Sequence, residues 1–257
     1  MSRPLLQVRG LAKRYGARIG CEGIDLDLYP GEVLCIAGES GSGKSTLLNT
    51  LAFQLQPDEG QIQYDLKDRG LTDLGTLTQA QLRELWRTDW GFVRQNPRDG
   101  LRMQVSAGAN IGERLMAVGA RHYGDIRGAA ADWLARVEIP AERLDDAPNS
   151  FSGGMQQRLQ IARNLVSRPR LVFMDEPTAG LDVSVQARFL DLLRGLAAEL
   201  DLAVILVTHD LAVARLLAQR LIVMRHGRIV ETGLTDQVLD DPQHPYTQLL
   251  VSSVLAA

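Results

Sequence analysis

The stretch Gly38-Glu39-Ser40-Gly41-Ser42-Gly43-Lys44-Ser45-Thr46 reads G-x-x-x-x-G-K-S, and it constrains the chain more than any other segment. An apolar run, Val33 to Ala37, precedes it, and a segment of helix-like composition, Lys44 to Leu55, follows. Strand, glycine loop and helix in that order make a phosphate-binding unit. Where glycines leave out side chains, successive backbone N–H groups turn inward onto phosphate oxygens. The helix N-terminus adds its partial positive charge. Lys44 supplies a mobile positive charge for β and γ phosphates, and Ser45 a hydroxyl for Mg²⁺. At a glycine frequency of about 7%, an accidental match is expected in roughly one such chain per hundred. The chain is therefore read as binding a nucleotide.

The bulk properties narrow what the nucleotide is for. With 257 residues and 45% hydrophobic content, the chain can bury a substantial α/β core. A net charge of −3 argues against nucleic-acid binding driven by overall charge. The cysteines, Cys21 and Cys35, have no metal-like spacing, so a disulfide framework or zinc site is not expected and a reducing compartment fits. Met1 to Arg9 lack the apolar stretch of a signal peptide, and no apolar run nears the ~20 residues of a membrane span. A cytoplasmic protein without direct membrane insertion is expected.

Strand-like runs alternate with helical ones. Leu5 to Arg9, Ile24 to Leu28, Glu32 to Ala37, Gln61 to Tyr64 and Gly91 to Val93 read as strands, and Gln79 to Trp86 as a helix. The polar stretch Asp65 to Thr78 reads as loop. From Asn96 to about Ser167 strand signals vanish, and Ile111 to Val118, Arg127 to Val137 and Gly154 to Val166 read as helices. Strand character returns at Arg170 to Glu176 and at Leu202 to Val207, with an amphipathic helix from Val185 to Leu200 between them. Val213 to Leu217 reads as helical, His226-Gly227 as a hairpin turn, and the tail as helical near its end. This alternation implies a mostly parallel sheet with helices on both faces.

A phosphate loop alone serves kinases, GTPases and motors equally well. Phe173-Met174-Asp175-Glu176 narrows the choice, because an apolar strand there delivers two carboxylates at the end where parallel sheets bind ligands. Asp175 is placed to hold Mg²⁺ through its hydration shell, and Glu176 to polarise an attacking water. His209 also follows an apolar strand, on the same sheet edge as Lys44 and Asp175, where it can reach a γ-phosphate or the water. Gln95 ends a strand too; it is either a polar loop residue or a contact to Mg²⁺. Tyr15 is either an edge-strand core residue or a stacking surface for a base. Ser152 reads as the N-cap of the helix from Met155 to Arg163. With Gly153 and Gly154 beside it, this is either only a capped helix or a second anion site, since glycines at a helix N-terminus expose N–H groups.

Taken together, Gly38 to Ser45, Gln95, Phe151-Ser152-Gly153-Gly154-Met155, Leu171 to Glu176, Ala179-Gly180-Leu181-Asp182 and His209 resemble the ATP-binding-cassette ATPases in order and spacing. The resemblance implies an α/β nucleotide-binding domain with a mostly parallel core sheet, an antiparallel β subdomain and an inserted α-helical subdomain. Residues 1–95 and 168–257 would form the core, and 96–167 the helical signature subdomain. It further implies that Tyr15 stacks on adenine and that Gly38, Ser40, Gly41, Gly43, Lys44, Ser45 and Thr46 cradle the phosphates. Ser45, Gln95 and Asp175 would hold Mg²⁺, Glu176 would be the general base, and His209 the switch histidine. Ser152, Gly153 and Gly154 would bind the γ-phosphate of ATP held by an opposite subunit, and Asp182 would link the sites. The implied working unit is a head-to-tail dimer, either a homodimer or a pairing with a second cassette subunit. Met155 stands where the family's signature often has Gln, as it does in some members.

Cassettes usually energise membrane transporters. Glu176-Pro177-Thr178, Leu181 to Ala187 and His244-Pro245-Tyr246-Thr247 resemble oligopeptide importer ATPases. Asn96 to Arg127, Val137-Glu138-Ile139-Pro140 and Phe151 to Val166 resemble instead the K subunits of the bacterial carbon–phosphorus lyase system, which serves alkylphosphonate breakdown. That resemblance implies docking on a soluble lyase core complex. The arginines Arg98, Arg102, Arg114, Arg121 and Arg127 suit such an aqueous partner, or equally an ordinary solvated face. An importer ATPase for peptides or phosphonates is the alternative. A nucleotide-gated clamp without hydrolysis fits poorly with an intact Glu176. The chain lacks a cysteine cluster for an iron–sulfur centre, so it is not expected to cleave the carbon–phosphorus bond itself.

Overall fold

The computed structural model describes residues 3–255. In chain order the elements are β1 (Leu6–Tyr15), β2 (Arg18–Leu28), β3 (Val33–Ala37), α1 (Lys44–Leu51), β4 (Glu59–Leu66), β5 (Gly70–Asp73), α2 (Gln79–Thr88) and β6 (Trp90–Val93). There follow α3 (Ala107–Ala117), α4 (Tyr123–Arg136), α5 (Gly153–Leu165), β7 (Leu171–Asp175), α6 (Val183–Glu199), β8 (Ala203–Thr208), α7 (Leu211–Leu217), β9 (Arg220–Arg225), β10 (Arg228–Leu234), α8 (Thr235–Asp240) and α9 (Pro245–Leu255). These elements fall into two units. One runs to Thr78 and resumes at Asp201; the other is Gln79–Leu200.

In the first unit β3 lies between β8 and β9 and runs parallel to both, with β10 antiparallel on β9. The runs Val33–Ala37 and Ala203–Thr208 are wholly buried, which is why neither alternates. The hairpin expected at His226-Gly227 joins β9 to β10, and both turn residues have positive φ, 48° and 79°. A second, antiparallel sheet has the order β2-β1-β4-β5. Two expectations need correction here. The stretch read as loop contains β5, paired to β4 from Gln63↔Asp73 to Leu66↔Gly70. It is an edge strand with every residue half-buried, so it needs no apolar face to betray it. The first helix stops at Leu51 and does not reach Leu55, because Phe53 turns to φ 54° and the freed carbonyls accept from Phe53, Gln54 and Leu55. Cys21 and Cys35 are both buried, free thiols; burial pushes Cys21 up to about 11, so it is inert as a nucleophile.

In the second unit β6 and β7 pair in parallel, Trp90↔Leu171 to Val93↔Met174. Trp86, Trp90, Phe92 and Phe173 pack ring on ring with centroids 5.4–6.2 Å apart. The strand starts are tied by Asp89, whose carboxylate pairs with Arg170 at 2.6 Å and whose carbonyl accepts from Arg170 and Leu171 N–H. The three expected helices are present, α3 and α4 beginning four residues earlier than read because each starts at a side-chain cap: Ser106 for α3, His122 for α4 and Ser152 for α5. The side chain of Asn110 is buried and clasps Arg102, Val105 and Ser106, fixing the turn into α3. The arginines of this stretch are mostly engaged within the unit. Arg114 donates to Trp86 O and Trp90 O, Arg102 pairs with Glu113, Arg127 with Asp145, and Arg121 donates to Met116 O and Ala120 O. Arg98 is exposed.

Candidate nucleotide site

The first unit carries Tyr15, the glycine loop and His209. The loop leaves the end of β3 and enters α1 directly at Lys44. Its backbone is shaped by what surrounds it. At Gly38 (φ 148°) an added Cβ would fall 2.3 Å from Met224 O, and at Gly43 (φ 104°) 2.2 Å from Gly20 O. No residue but glycine fits either position. Gly227 N–H donates to Ser42 O at 2.8 Å, and Lys44 Nζ donates to Gly38 O and Glu39 O at 2.8 and 2.9 Å. The ammonium is thus held against the backbone of the glycine loop.

Ala37 and Thr208 pair across β3 and β8, so the loop and His209 leave neighbouring strands at the same end. His209 is exposed. The next residue, Asp210, fixes its turn by capping α7, accepting from Ala212 N–H at 2.8 Å. Sequence reasoning passed over that cap, although an acid before an apolar helix is its usual signal. Tyr15 ends β1 with 49% of its surface exposed, its ring edge against Gly20. Two neighbouring contacts hold it there: Lys13 Nζ bonds Asp58 at 2.9 Å, and Arg14 N–H bonds the same carboxylate at 2.7 Å. At that exposure the ring is not a core residue.

The second unit carries Gln95, Ser152–Gly154, Asp175, Glu176 and Asp182. Gln95 follows β6 and Asp175-Glu176 end β7, and the paired strands bring Gln95 Nε2 to 3.5 Å from Glu176 Oε2. Glu176 has φ 41°, a left-handed conformation that costs an ordinary side chain of order 1 kcal/mol and that clusters at functional sites. Pro177 follows it, and Ala179 N–H closes the turn on Glu176 O at 3.1 Å. Ser152 caps α5 as expected, accepting from Met155 N–H at 3.3 Å. Gly153 is exposed with open space where a Cβ would stand, so its backbone is approachable. Asp182 stands at the start of α6 and its side chain makes no cap bond there. Ser152→Ala should destabilise the protein by about 1 kcal/mol, read from the urea midpoint, with Ser152→Thr restoring most of it. Equal midpoints for wild type and the alanine variant would remove the cap from the account.

One arrangement escaped the sequence reading. The buried amides of α5 grip the end of β6. Asn164 Oδ1 accepts from Phe92 N–H at 3.0 Å, and Gln160 Oε1 from Arg94 N–H at 2.6 Å. Gln160 and Gln157 donate back to Arg94 O at 3.1 and 3.4 Å. Gln156 donates to Pro148 O and Phe151 O, holding the turn before Ser152. The spacing 157, 160, 164 puts three amides on one helix face, and polar residues on a face otherwise rich in Leu and Ile were the available signal.

A family model described as ABC transporter matches residues 21–179, more than half of the chain. The chain is an ABC-family ATPase. The cassette is 65% identical over 255 residues to a protein of Escherichia coli (strain K12) described as a phosphonates utilization ATP-binding protein, PhnK; the match covers 99% of each chain. It is 36% identical over 255 residues to a peptide import ATP-binding protein of Brucella ovis, covering 98% of the cassette and 78% of the relative. Among solved structures it resembles the dimeric bacterial ABC transporter cassette MJ0796 with a TM-score of 0.80 and 30% identity, over 90% of the cassette and 98% of that chain. The post-hydrolysis dimer of MJ0796 bound to ADP and Pi matches with a TM-score of 0.79 at 29% identity. The expected mixture of parallel core strands, antiparallel sheet and helical stretch is the fold of these cassettes. Among the described residues no helix is long and apolar enough to cross a membrane.

Proposed function

We propose that the cassette hydrolyses MgATP as a head-to-tail dimer and uses the cycle to remodel a soluble carbon–phosphorus lyase core complex in the cytoplasm during alkylphosphonate breakdown. The observation that carries this reading is the 65% identity to PhnK across essentially both whole chains, against 36% to the peptide import relative. In this reading residues 96–167 are the signature subdomain and the remainder is the nucleotide-binding core.

The residue roles are those the family resemblance implies, and their chemistry suits them. Lys44 and the N–H groups of Gly38 to Thr46 balance phosphate charge, and Tyr15 offers its ring face to adenine. Glu176 accepts a proton from the attacking water, with Gln95 and His209 orienting it. Ser152 to Gly154 contact the γ-phosphate of the second protomer's ATP, and Asp182 links the two sites. Mg²⁺ takes hard oxygen donors and keeps waters and substrate phosphates as most of its ligands. Ser45 hydroxyl, Gln95 amide oxygen and the single carboxylate Asp175 fit that requirement, and no cluster of three acidic, histidine or cysteine ligands is needed or found among the described residues. Bound there, the ion would neutralise charge on the phosphates. The cassette does not itself cleave the carbon–phosphorus bond.

A second reading is an importer ATPase for peptides or phosphonates, favoured by the peptide import relatives at 36–37% identity. Affinity purification of the tagged cassette from phosphate-starved cells, with and without ATP, separates the two. Soluble lyase subunits are the expected co-purifying proteins. Membrane permease subunits in their place would overturn the proposal in favour of import.

A further inference from the structure

The motif His244-Pro245-Tyr246-Thr247 has no part in the roles above, yet it reaches the phosphate loop. Glu39 N–H donates to the Tyr246 hydroxyl at 3.1 Å, across 207 residues of chain. We propose that Tyr246 is a positioning residue for ATP binding: its hydroxyl fixes the first turn of the phosphate loop, and the hairpin β9–β10 fixes Tyr246.

The ring is 4% exposed and covered by Arg225, whose guanidinium carbon lies 4.8 Å from its centroid. Glu231 on β10 accepts from Gln243 N–H at 2.8 Å and His244 N–H at 3.0 Å, holding the segment just before the tyrosine. His244 Nδ1 accepts from Tyr246 N–H at 3.1 Å, which turns the chain so that the ring points inward. The same hairpin fixes the loop elsewhere, since Met224 O crowds Gly38 and Gly227 N–H bonds Ser42 O at 2.8 Å.

Glu39 is thereby held at both ends of its residue. Its carbonyl accepts from Lys44 Nζ at 2.9 Å and from Ser42 N–H at 3.2 Å, and its N–H donates to Tyr246. Of these partners, Lys44 is the one that phosphate oxygens compete for. When its ammonium turns to the nucleotide, Tyr246 remains as the side chain anchoring this residue. A loop already fixed loses less freedom on binding, so its anchor raises affinity without touching the ligand.

This inference rests on the loop being the nucleotide site, and the test separates the two ideas. Binding of a fluorescent ATP analogue, steady-state ATPase kinetics and the urea midpoint are measured on the full chain. Lys44→Ala should abolish analogue binding; retained binding would overturn the nucleotide assignment itself. Tyr246→Phe keeps the ring and removes the acceptor for Glu39 N–H. Its Kd and KM should rise about fivefold, the equivalent of about 1 kcal/mol, with kcat within twofold of wild type. Glu231→Gln weakens the hold on the segment and should raise KM less. Combined with Tyr246→Phe it should add nothing, because it acts through the tyrosine. A Tyr246→Phe protein with unchanged Kd and KM, whatever its urea midpoint, would overturn the proposal. So would full additivity of the two substitutions.

Discussion

Glu176→Gln should lower the rate of phosphate release by at least about a hundredfold while leaving ATP binding intact, because a positioned general base contributes roughly 10²–10⁴ to such a step. The substitution is nearly isosteric. It keeps the left-handed backbone at φ 41° and leaves an oxygen at the same place, 3.5 Å from Gln95 Nε2. Stability should therefore not change, and any loss of rate belongs to the chemistry. With hydrolysis blocked and binding preserved, the ATP-bound dimer should accumulate. Light scattering behind a sizing column should then show twice the monomer mass in MgATP, and monomer mass without nucleotide. Turnover equal to wild type would refute Glu176 as the base. Lost turnover without the mass shift would refute the head-to-tail dimer as the ATP-bound form.

Gly43→Ala should abolish nucleotide binding and cost about 3 kcal/mol or more of stability, because two effects coincide. An alanine at φ 104° is strained wherever it stands, and here its Cβ would also lie 2.2 Å from Gly20 O and 3.2 Å from Gly227 Cα. Both are backbone atoms, so neither can rotate aside, and the hairpin and β2 would have to move together. Gly41→Ala is the control. Gly41 has φ 82° but open space where a Cβ would sit, so only the conformational cost remains, about 1–2 kcal/mol. Urea unfolding of the two variants should differ by the steric contribution. Equal midpoints would mean that Gly43 is required for its dihedral angle alone.

The parts of this molecule that could be read in advance are those whose information is local. The glycine loop, its strand and its helix are contiguous, so the order of residues 33 to 51 announces both fold and ligand. Asp175-Glu176 and His209 were visible because buried parallel strands leave unbroken apolar runs that end abruptly at these residues. The resemblance to ATP-binding cassettes then supplied roles that spacing could not. What stayed hidden depends on partners far along the chain. β5 exists because β4 offers it an edge, and α1 stops at Leu51 although no glycine or proline marks the place. The grip of Gln160 on Arg94 spans 66 residues, and that of Tyr246 on Glu39 spans 207. Such contacts are set by topology, and polar side chains inside a helix give no hint of which backbone they will meet. The arginines, which along the chain fitted a partner surface and an ordinary solvated face equally, mostly bond neighbouring carbonyls and carboxylates.

The amides of α5 have a mechanical meaning. Gln157, Gln160 and Asn164 bind the N–H and C=O groups of Phe92 and Arg94, not flexible side chains, and Gln156 binds the turn that presents Ser152. Ser152 at one end of the helix and Gln95, one residue past Arg94, are thus geared together without backlash. A tilt of this helix moves the backbone of Arg94 that Gln160 holds, and Gln95 with it. Gln95, its amide 3.5 Å from the Glu176 carboxylate, then follows the helix that Ser152 caps.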